Sequence, residues 1–125
     1  MEIKKTILIV DDSEFVRSYH SYILEQAQFR VITVVDGSDG LEKLYSNACD
    51  LVLTDINMSN MDGYEFIRRV RADGKYDSLP IIIVYTESET KDKMKGFEAG
   101  TSLYIVKPSS PEMMVENIRM VMIAD

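Results

Sequence analysis

The sequence predicts an α/β fold: a doubly wound, five-stranded parallel sheet in the order 2-1-3-4-5, with five helices on both faces. Apolar runs suited to buried strands alternate with segments of helical period, which is typical of parallel strands joined by crossover helices. Four of these runs end in polar side chains, as expected at the ligand-binding edge of such a sheet. A chain of 125 residues suits one domain, which we place over residues 1–125.

The strands are predicted from short, nearly continuous apolar runs. In chain order they lie near residues 6–11, 31–35, 50–55, 80–86 and 103–106. Such continuous hydrophobicity, without a polar residue at every second position, favours strands that are covered on both faces.

The first two helices are predicted from apolar residues at helical spacing. The first runs from Ser13 or Glu14 to Gln28, and Ser13 is suited to cap its N-terminus. Its inward positions are Val16, His20, Ile23 and Ala27. The second helix follows a turn and covers residues 38–46. Its inward positions are Leu41, Leu44 and Tyr45.

The other three helices are defined as much by their ends as by their periods. The third begins near Gly63. Its inward positions are Phe66, Ile67 and Val70, and its water-facing basic residues are Arg68, Arg69 and Arg71. The fourth runs from Thr90 to Glu98 and stops before Gly100, which suits a C′ glycine. The fifth opens at Pro111. Its inward positions are Met114, Val115, Ile118, Val121 and Met122, which leaves Met113 and Met120 outside the inward stripe.

Composition and charge exclude several classes of partner. The net charge is −7, so a nucleic-acid backbone is not expected as a ligand, and no basic tract suits a membrane surface. Cys49 is the single cysteine, so no internal disulfide is expected, and a reducing, cytoplasmic compartment is indicated. No apolar run reaches the length of a membrane span.

Three carboxylates and two other polar groups follow the predicted strands. Asp11 and Asp12 follow the first strand and Asp55 follows the third, while Thr86 and Lys107 end the fourth and fifth. Clustered carboxylates need a compensating cation, and oxygen ligands without histidine or cysteine favour Mg²⁺ or a similar ion such as Mn²⁺. Such a site suits phosphoryl transfer to a carboxylate, with an ammonium neutralising the transferred group and a hydroxyl bonding one of its oxygens.

These motifs, in this order, resemble those of the response regulator receiver domains of two-component signalling, in particular the single-domain, CheY-like kind. The resemblance extends from Ile7 to about Val121. Its motifs are Asp11-Asp12-Ser13, Thr54-Asp55-Ile56-Asn57-Met58, Met61-Asp62-Gly63, Thr86 and Lys107-Pro108. It implies a flavodoxin-like fold and a function in phosphorelay signal transduction of the chemotaxis-like type.

The resemblance also implies roles for the acidic residues. Asp55 would accept a phosphoryl group from a histidine kinase or a histidine phosphotransfer protein. Asp12, Asp55 and the backbone carbonyl of Asn57 would bind Mg²⁺, and Asp11 would assist through water. Lys107 would neutralise charge on the phosphoryl group. The protein would catalyse only its own phosphorylation and dephosphorylation, and would not be an enzyme acting on other substrates.

The same resemblance implies a means of output. By this resemblance, Thr86 would move toward the phosphoryl group and Tyr104 would turn inward, which would change the face formed by residues 90–122. An output protein would recognise that face. The protein is expected to be a monomer or a weak dimer.

Three positions depart from the usual family pattern: Glu87, His20, and Ser59, which stands where the family loop often has proline. Glu87 stands where the residue after the switch threonine is ordinarily small, and we expect it to alter the kinetics of phosphorylation or hydrolysis. Asn57 and Ser88, near the expected path of attacking water, are expected to help set the lifetime of the phosphorylated state. His20 occupies an inward position that is commonly aliphatic, and a partly buried, hydrogen-bonded core histidine is the favoured interpretation.

Simpler roles are open for each residue taken alone. Either aspartate after the first strand could cap the first helix, and Asp55 could close a turn. Thr86 could also be a cap, and Lys107 could be a solvated surface charge. Tyr104 could be a packed aromatic residue with a wet hydroxyl. Unrelated caps, however, have little reason to share one sheet edge.

Other functions stay open as well. A degenerate receiver, or pseudo-receiver, would bind partners without phosphorylation, and Glu87 supports this alternative. A metal-dependent phosphatase with an aspartyl nucleophile would use similar carboxylates, but the haloacid-dehalogenase arrangement needs two aspartates one residue apart, which Asp11-Asp12-Ser13 does not provide. A flavodoxin-like electron carrier has the same strand order, but carboxylates after the first strand would repel its flavin phosphate.

Overall fold

Five strands and five helices alternate along the computed structural model, which describes residues 3–86, 88, 93–107 and 109–123. The strands are β1 Thr6–Val10, β2 Arg30–Val34, β3 Leu51–Thr54, β4 Ile81–Tyr85 and β5 Leu103–Val106. The helices are α1 Glu14–Gln26, α2 Gly37–Ser46, α3 Gly63–Ala72, α4 Lys93–Ala99 and α5 Pro111–Ile123. A 3-10 turn, Gly74–Tyr76, follows α3.

The strands are all parallel and lie in the order β2-β1-β3-β4-β5, which confirms the predicted topology. β1, β3 and β4 are buried along their whole length, in agreement with their continuous hydrophobicity. The register pairs Val10 of β1 with Thr54 of β3. The residues that follow these two therefore leave the sheet side by side at its carboxyl edge.

Each face of the sheet has its own core. Alternate residues of a strand point to opposite faces, so Leu8 and Val10 pack in one core while Ile7 and Ile9 pack in the other. The first core also contains buried residues of α2, α3 and α4, and the second contains residues of α1 and α5. Full burial of one such aliphatic side chain contributes about 1.5–3 kcal/mol. With both faces covered, polar side chains at the strand ends reach solvent only at the edges of the sheet.

Among the described residues, four helices begin with a side-chain N-cap whose oxygen accepts the backbone N–H three residues later. The caps and their distances are Ser13 (3.3 Å), Asp36 (2.9 Å), Asp62 (2.8 Å) and Ser110 (3.2 Å). Each such cap contributes about 1 kcal/mol, and the one at Ser13 confirms the prediction for α1. α1 ends at Gln26, two residues before its predicted end, and Gln28 has a left-handed backbone with a φ of 73°.

Two helix residues do not lie where periodicity predicts them. Tyr45 is 59% exposed, so its predicted inward position is wrong, and its ring lies 6.3 Å from the ring of Tyr76. The prediction that Arg71 faces water is also wrong. Its half-buried guanidinium donates to the carbonyls of Gly100 (3.0 Å) and Tyr76 (2.6 Å). Both side chains respond to neighbours outside their own helix, which helical periodicity does not include.

The C-terminal end of α4 agrees with the prediction. Gly100 has a φ of 115°, and its N–H donates to the carbonyl of Gly96 at 2.9 Å. The helix is described from Lys93 onward, so its predicted start at Thr90 lies outside the described residues. A left-handed conformation after the last turn favours glycine because it has no Cβ, so Gly100 closes α4 as predicted.

α5 begins at Pro111 as predicted, and Met114 and Ile118 on its inner side are buried. Met113 and Met120 lie outside that stripe and are 53% and 55% exposed. The predicted inward face of α5 is thus confirmed. Among the described residues, no helix combines the length and the apolar character needed to cross a membrane.

Candidate functional site

Asp11 and Asp55 lie side by side at the carboxyl edge of the sheet. They directly follow Val10 and Thr54, which are paired in the parallel register of β1 and β3. The Asp11 N–H donates to the carbonyl of Val34 (3.2 Å), and the Asp55 N–H donates to that of Val10 (2.9 Å). The two residues are 3% and 5% exposed, so two acidic side chains meet at a nearly buried position.

Backbone donors also hold the carboxylates. Asp11 Oδ1 accepts the Ser13 N–H at 2.9 Å, and Asp55 Oδ1 accepts the Ile56 N–H at 2.8 Å. Hydrogen bonds from N–H groups to an ionised carboxylate are stronger than neutral ones. Both side chains are therefore oriented before any ligand binds.

Asp12 completes the acidic cluster. One carboxylate oxygen from each of Asp11, Asp12 and Asp55 can be chosen so that all three lie within 4.8 Å of one another. Asp12 is exposed, whereas the other two aspartates are buried, so the cluster opens to solvent on the Asp12 side. The three aspartates predicted to share this edge are thus brought together.

Lys107 bridges the two buried aspartates. Its Nζ atom lies 3.3 Å from Asp11 Oδ2 and 3.3 Å from Asp55 Oδ1, and its side chain is 16% exposed. Its backbone N–H donates to the carbonyl of Tyr85, which fixes the residue to the end of β4. Three carboxylates and one ammonium leave two negative charges, 3 − 1 = 2, in this group.

The donor set fits a hard divalent cation. Three carboxylate oxygens with no histidine or cysteine among them match the ligands that Mg²⁺ and Mn²⁺ prefer, and two excess negative charges match the charge of such an ion. Asp12 is the solvent-exposed member of the cluster, so an ion would approach the site from its side. Asn57, whose backbone carbonyl is the fourth predicted ligand, is also exposed in the loop after β3.

Thr86 lies one residue beyond the end of β4 and is half-buried. Its hydroxyl shares a hydrogen bond of 3.2 Å with the hydroxyl of Ser88, which is exposed. Glu87, between them, lies outside the described residues, and so does the predicted effect of its side chain on the site.

Tyr104 is half-buried in β5 and contacts α4. Its hydroxyl donates to the carbonyl of Lys93 at 2.9 Å, and its ring centroid lies 5.4 Å from that of Tyr85 and 5.3 Å from that of Phe97. A Cβ atom at Gly96 would lie 1.9 Å from the Tyr104 hydroxyl oxygen. The absence of a side chain at Gly96 therefore makes room for this hydroxyl against the helix.

The predicted output face has exposed apolar side chains. Between residues 93 and 122, the large apolar side chains of α4, β5 and α5 that are more than a third exposed are Met94, Phe97, Val106, Met113 and Met120. Residues 90–92 and 108 of the predicted face lie outside the described residues. Flexible methionine side chains suit contacts with a protein partner.

Two residues beside the site had no functional role in the sequence prediction. Arg17, in the second turn of α1, donates from Nη1 to the backbone carbonyl of Asp11 at 2.8 Å. His20 is 6% exposed; burial lowers its pKa, Asp11 opposes this, and Lys107 adds to the lowering. The predicted burial of His20 is confirmed, and the predicted hydrogen bond of its ring stays a prediction. The contact of Arg17 was missed because a basic residue on a helix is more often a solvated charge.

Comparison with known proteins agrees with this architecture. The family model of the response regulator receiver domain matches residues 7–119. The response regulator ArlR of Staphylococcus saprophyticus is 38% identical over 113 residues, which cover 90% of this chain and 50% of ArlR. ArlR of Staphylococcus aureus is 35% identical over 116 residues. The chain thus spans about half the length of the curated relatives it matches.

Solved structures show the same fold. The chemotaxis response regulator CheY4 of Vibrio cholerae has a TM-score of 0.89 at 33% identity, with 95% of this chain and 99% of that chain covered. The CheY-like receiver domain protein of Methanospirillum hungatei has a TM-score of 0.87 at 28% identity, with 96% and 94% covered. Response regulators interact with histidine kinases and output partners in two-component signalling. On the match of residues 7–119 and on these relatives, the chain belongs to the response regulator receiver domain family.

Proposed function

We propose that the chain is a phosphorylation-operated switch, in which Asp55 accepts a phosphoryl group from a histidine kinase or a histidine phosphotransfer protein. One observation carries this proposal: three carboxylate oxygens lie within 4.8 Å of one another while Lys107 bridges two of the aspartates. A cap or a surface ion pair has no need of this concentration of charge. Phosphoryl transfer does, because it requires both a carboxylate nucleophile and cations around the transferred group.

The proposed step is an exchange of bonds at phosphorus. A carboxylate oxygen of Asp55 attacks the phosphorus of a phosphohistidine, the P–N bond breaks as the new P–O bond forms, and the imidazole nitrogen takes a proton. The product is an acyl phosphate at Asp55. Lys107 neutralises charge on the phosphoryl oxygens, and the Thr86 hydroxyl, released from Ser88, donates a hydrogen bond to one of them.

A bound Mg²⁺ or Mn²⁺ would neutralise charge on the phosphoryl oxygens during transfer. Asp11, Asp12 and Asp55 would hold it together with the backbone carbonyl of Asn57. The chemistry of the donor set supports this assignment, since the cluster holds two negative charges beyond the one that Lys107 neutralises.

The output is proposed to be a change in the face formed by residues 90–122. Thr86 and Tyr104 are the switch residues, and exposed apolar side chains on α4, β5 and α5 suit an output protein. Residues 1–125 would act as one receiver domain in the cytoplasm, as a monomer or a weak dimer, with no turnover of external substrates.

The lifetime of the phosphorylated state is proposed to depend on Glu87, Asn57 and Ser88. If the Glu87 carboxylate points into the site, it would repel small anionic donors and shield the phosphorus from water. We expect Glu87→Ala to change the rate of hydrolysis of phosphorylated Asp55, measured as loss of the phosphoryl mass with time. Equal rates in Glu87→Ala and the wild type would contradict this role.

The proposed function is tested by intact mass after incubation with acetyl phosphate and Mg²⁺. We expect the wild type to gain one phosphoryl group, and Asp55→Asn to gain none. Asp62→Asn is a matched control, because Asp62 lies in the same loop but caps α3, so this variant should still be phosphorylated. A chelator should abolish the gain in the wild type.

Failure of the wild type to gain mass would be resolved by the same assay on Glu87→Ala. Phosphorylation of that variant would show a block specific to the small donor. No gain in either protein, with phosphohistidine donors also inactive, would overturn the proposal in favour of a pseudo-receiver. Turnover of an added phosphoester would instead indicate the metal-dependent phosphatase.

A further inference from the structure

The peptide bond between Asp11 and Asp12 carries an unusual contact. Its carbonyl oxygen, that of Asp11, accepts a hydrogen bond of 2.8 Å from Arg17 Nη1. Arg17 lies six residues later, and its half-buried side chain reaches back from the second turn of α1 to the end of β1. A guanidinium group therefore satisfies the carbonyl of the peptide that joins two members of the acidic cluster.

This contact bears on the position of Asp12. The atoms of a peptide group are coplanar, so the direction of the Asp11 carbonyl also sets the direction in which the chain enters Asp12. Asp11 is held independently by three further hydrogen bonds, from its own N–H to Val34, from Ser13 to Oδ1 and from Lys107 to Oδ2. Asp12 is exposed, and the plane of its preceding peptide is what Arg17 restrains.

We propose that Arg17 is a positioning residue for the metal site, which holds the Asp11–Asp12 peptide so that Asp12 faces Asp11 and Asp55. This inference rests on the proposed function, because it assumes that the three aspartates bind Mg²⁺. Arginine suits the task for two reasons. First, its planar guanidinium is always charged and has several donors in a fixed geometry. Second, it donates to a backbone carbonyl, so the carboxylate oxygens stay available to a metal ion.

The positive charge of Arg17 has an opposite effect that the experiment must separate. A cation beside the site repels Mg²⁺, so if charge alone mattered, removing it would tighten Mg²⁺ binding. If Arg17 positions Asp12, removing it weakens binding. Salt at 0.15 M screens charges over about 8 Å, so the repulsive contribution is reduced at that ionic strength whereas the positional one is not.

The test is a Mg²⁺ titration followed by amide chemical shifts in ¹H–¹⁵N NMR spectra, without any phosphodonor. We expect Arg17→Gln to weaken Mg²⁺ binding by about tenfold, which is typical of lost support behind a metal ligand. Arg17→Lys keeps the charge but not the planar fork and should restore binding in part. Arg119→Gln is a matched control, because Arg119 also donates to a backbone carbonyl, that of Ala27, but at the other end of α1.

The outcomes separate this inference from the function on which it rests. Wild-type affinity or tighter binding in Arg17→Gln would overturn the positioning role while leaving the metal site intact. Absence of Mg²⁺ binding in the wild type would overturn the metal step of the proposed function itself. The same spectra report whether each variant is folded, and Arg17→Lys alone decides the question if Arg17→Gln does not fold, since its weaker binding supports positioning and wild-type binding contradicts it.

Discussion

The two halves of the carboxyl edge are held in different ways. At the ends of β1 and β3, backbone N–H groups donate to the carboxylates of Asp11 and Asp55, which are 3% and 5% exposed. At the end of β4 and within β5, the contacts are made by side chains. Thr86 bonds the hydroxyl of Ser88, and the half-buried Tyr104 packs against aromatic rings and bonds a carbonyl of α4.

One edge of the sheet can in this way serve both chemistry and signalling. A carboxylate held by backbone donors cannot turn away without leaving charged, nearly buried groups unpaired, so the β1–β3 half is preorganised. Exchange of a neutral side-chain hydrogen bond costs about 1 kcal/mol. That is small beside the ~5.5 kcal/mol of differential stabilisation that moves a two-state switch from 1:99 to 99:1, so the β4–β5 half can rearrange in response to a phosphoryl group.

The largest effect is expected from Gly63→Ala, which places a new side-chain atom against the preorganised β1–β3 half. A Cβ atom at Gly63 would lie 2.1 Å from the backbone carbonyl oxygen of Asp55, and neither atom can rotate away. β3 and α3 would have to separate, which strains the hydrogen bond from the Gly63 N–H to the Ile56 carbonyl (2.7 Å). We expect a loss of about 3 kcal/mol in the free energy of unfolding, measured by urea denaturation.

Gly74→Ala is the matched control for that measurement. A Cβ atom at Gly74 would meet no atom closer than 3.8 Å, so this substitution should change the free energy of unfolding by less than about 0.5 kcal/mol. Equal losses in the two variants would mean that the close approach of α3 to β3 is not what holds Asp55, and the comparison between the two halves would fail.

A smaller effect is expected from Gly96→Ala, which places a new side-chain atom against Tyr104 in the β4–β5 half. The new Cβ atom would lie 1.9 Å from the Tyr104 hydroxyl oxygen, but Tyr104 can rotate away at the cost of its hydrogen bond to Lys93. We expect a loss of about 1 kcal/mol and a changed NMR signal from the Tyr104 ring. The acidic half should be unaffected, so Mg²⁺ affinity should stay at the wild-type value.

The same substitution in a Tyr104→Ala background tests whether the contact with Tyr104 causes this loss. Without the tyrosine ring, the nearest contact left for the new Cβ atom is Ile83 Cδ1 at 2.8 Å, the end of a side chain that can turn into the space of the missing ring. The better helix propensity of alanine should then make Gly96→Ala neutral or stabilising by about 0.5–1 kcal/mol. The sign of the effect should therefore reverse between the two backgrounds. An equal loss in both would show that Tyr104 does not occupy the space beside Gly96.

Much of the preorganised half could be predicted from the sequence. Parallel strands end at a common edge, so a polar residue directly after each apolar run identified the aspartates and Lys107 without any contact being known. Ser13 was likewise predictable as a cap, because its role depends on residues only three positions away. Local patterns and strand order carry this information in the sequence itself.

What the sequence could not predict are contacts between distant segments. Tyr45 lies outward and Arg71 partly inward because the connection after α3 and the end of α4 provide their partners. Gly96 accommodates a side chain eight positions later, on another element. Arg17 reaches back to the Asp11 carbonyl, and no spacing rule distinguishes that from a solvated arginine. The β4–β5 half depends more on such contacts, so its geometry was less predictable.

The smallest expected effect is the pH dependence of stability that arises from His20, which lies beside Asp11 in the β1–β3 half. His20 on α1 is buried, and burial lowers its pKa; Asp11 raises it and Lys107 lowers it further, and burial is the largest of these effects. The unfolded chain therefore binds a proton at His20 at a higher pH than the folded protein does. The stabilisation by neutral His20 is fully present above the unfolded pKa, near 6.5, and is lost as the pH falls below it.

We expect the free energy of unfolding to decrease as the pH is lowered from about 7 to about 5.5, where few carboxylates titrate. Since His20 is the single histidine of the chain, His20→Gln should remove this part of the pH dependence, as measured by urea denaturation at each pH. Equal slopes in the two proteins would show that His20 is protonated as easily in the folded state as in the unfolded one. The space behind Asp11 would then admit charge and water, and the contrast between a closed β1–β3 half and an adaptable β4–β5 half would be weaker than the burial of the aspartates indicates.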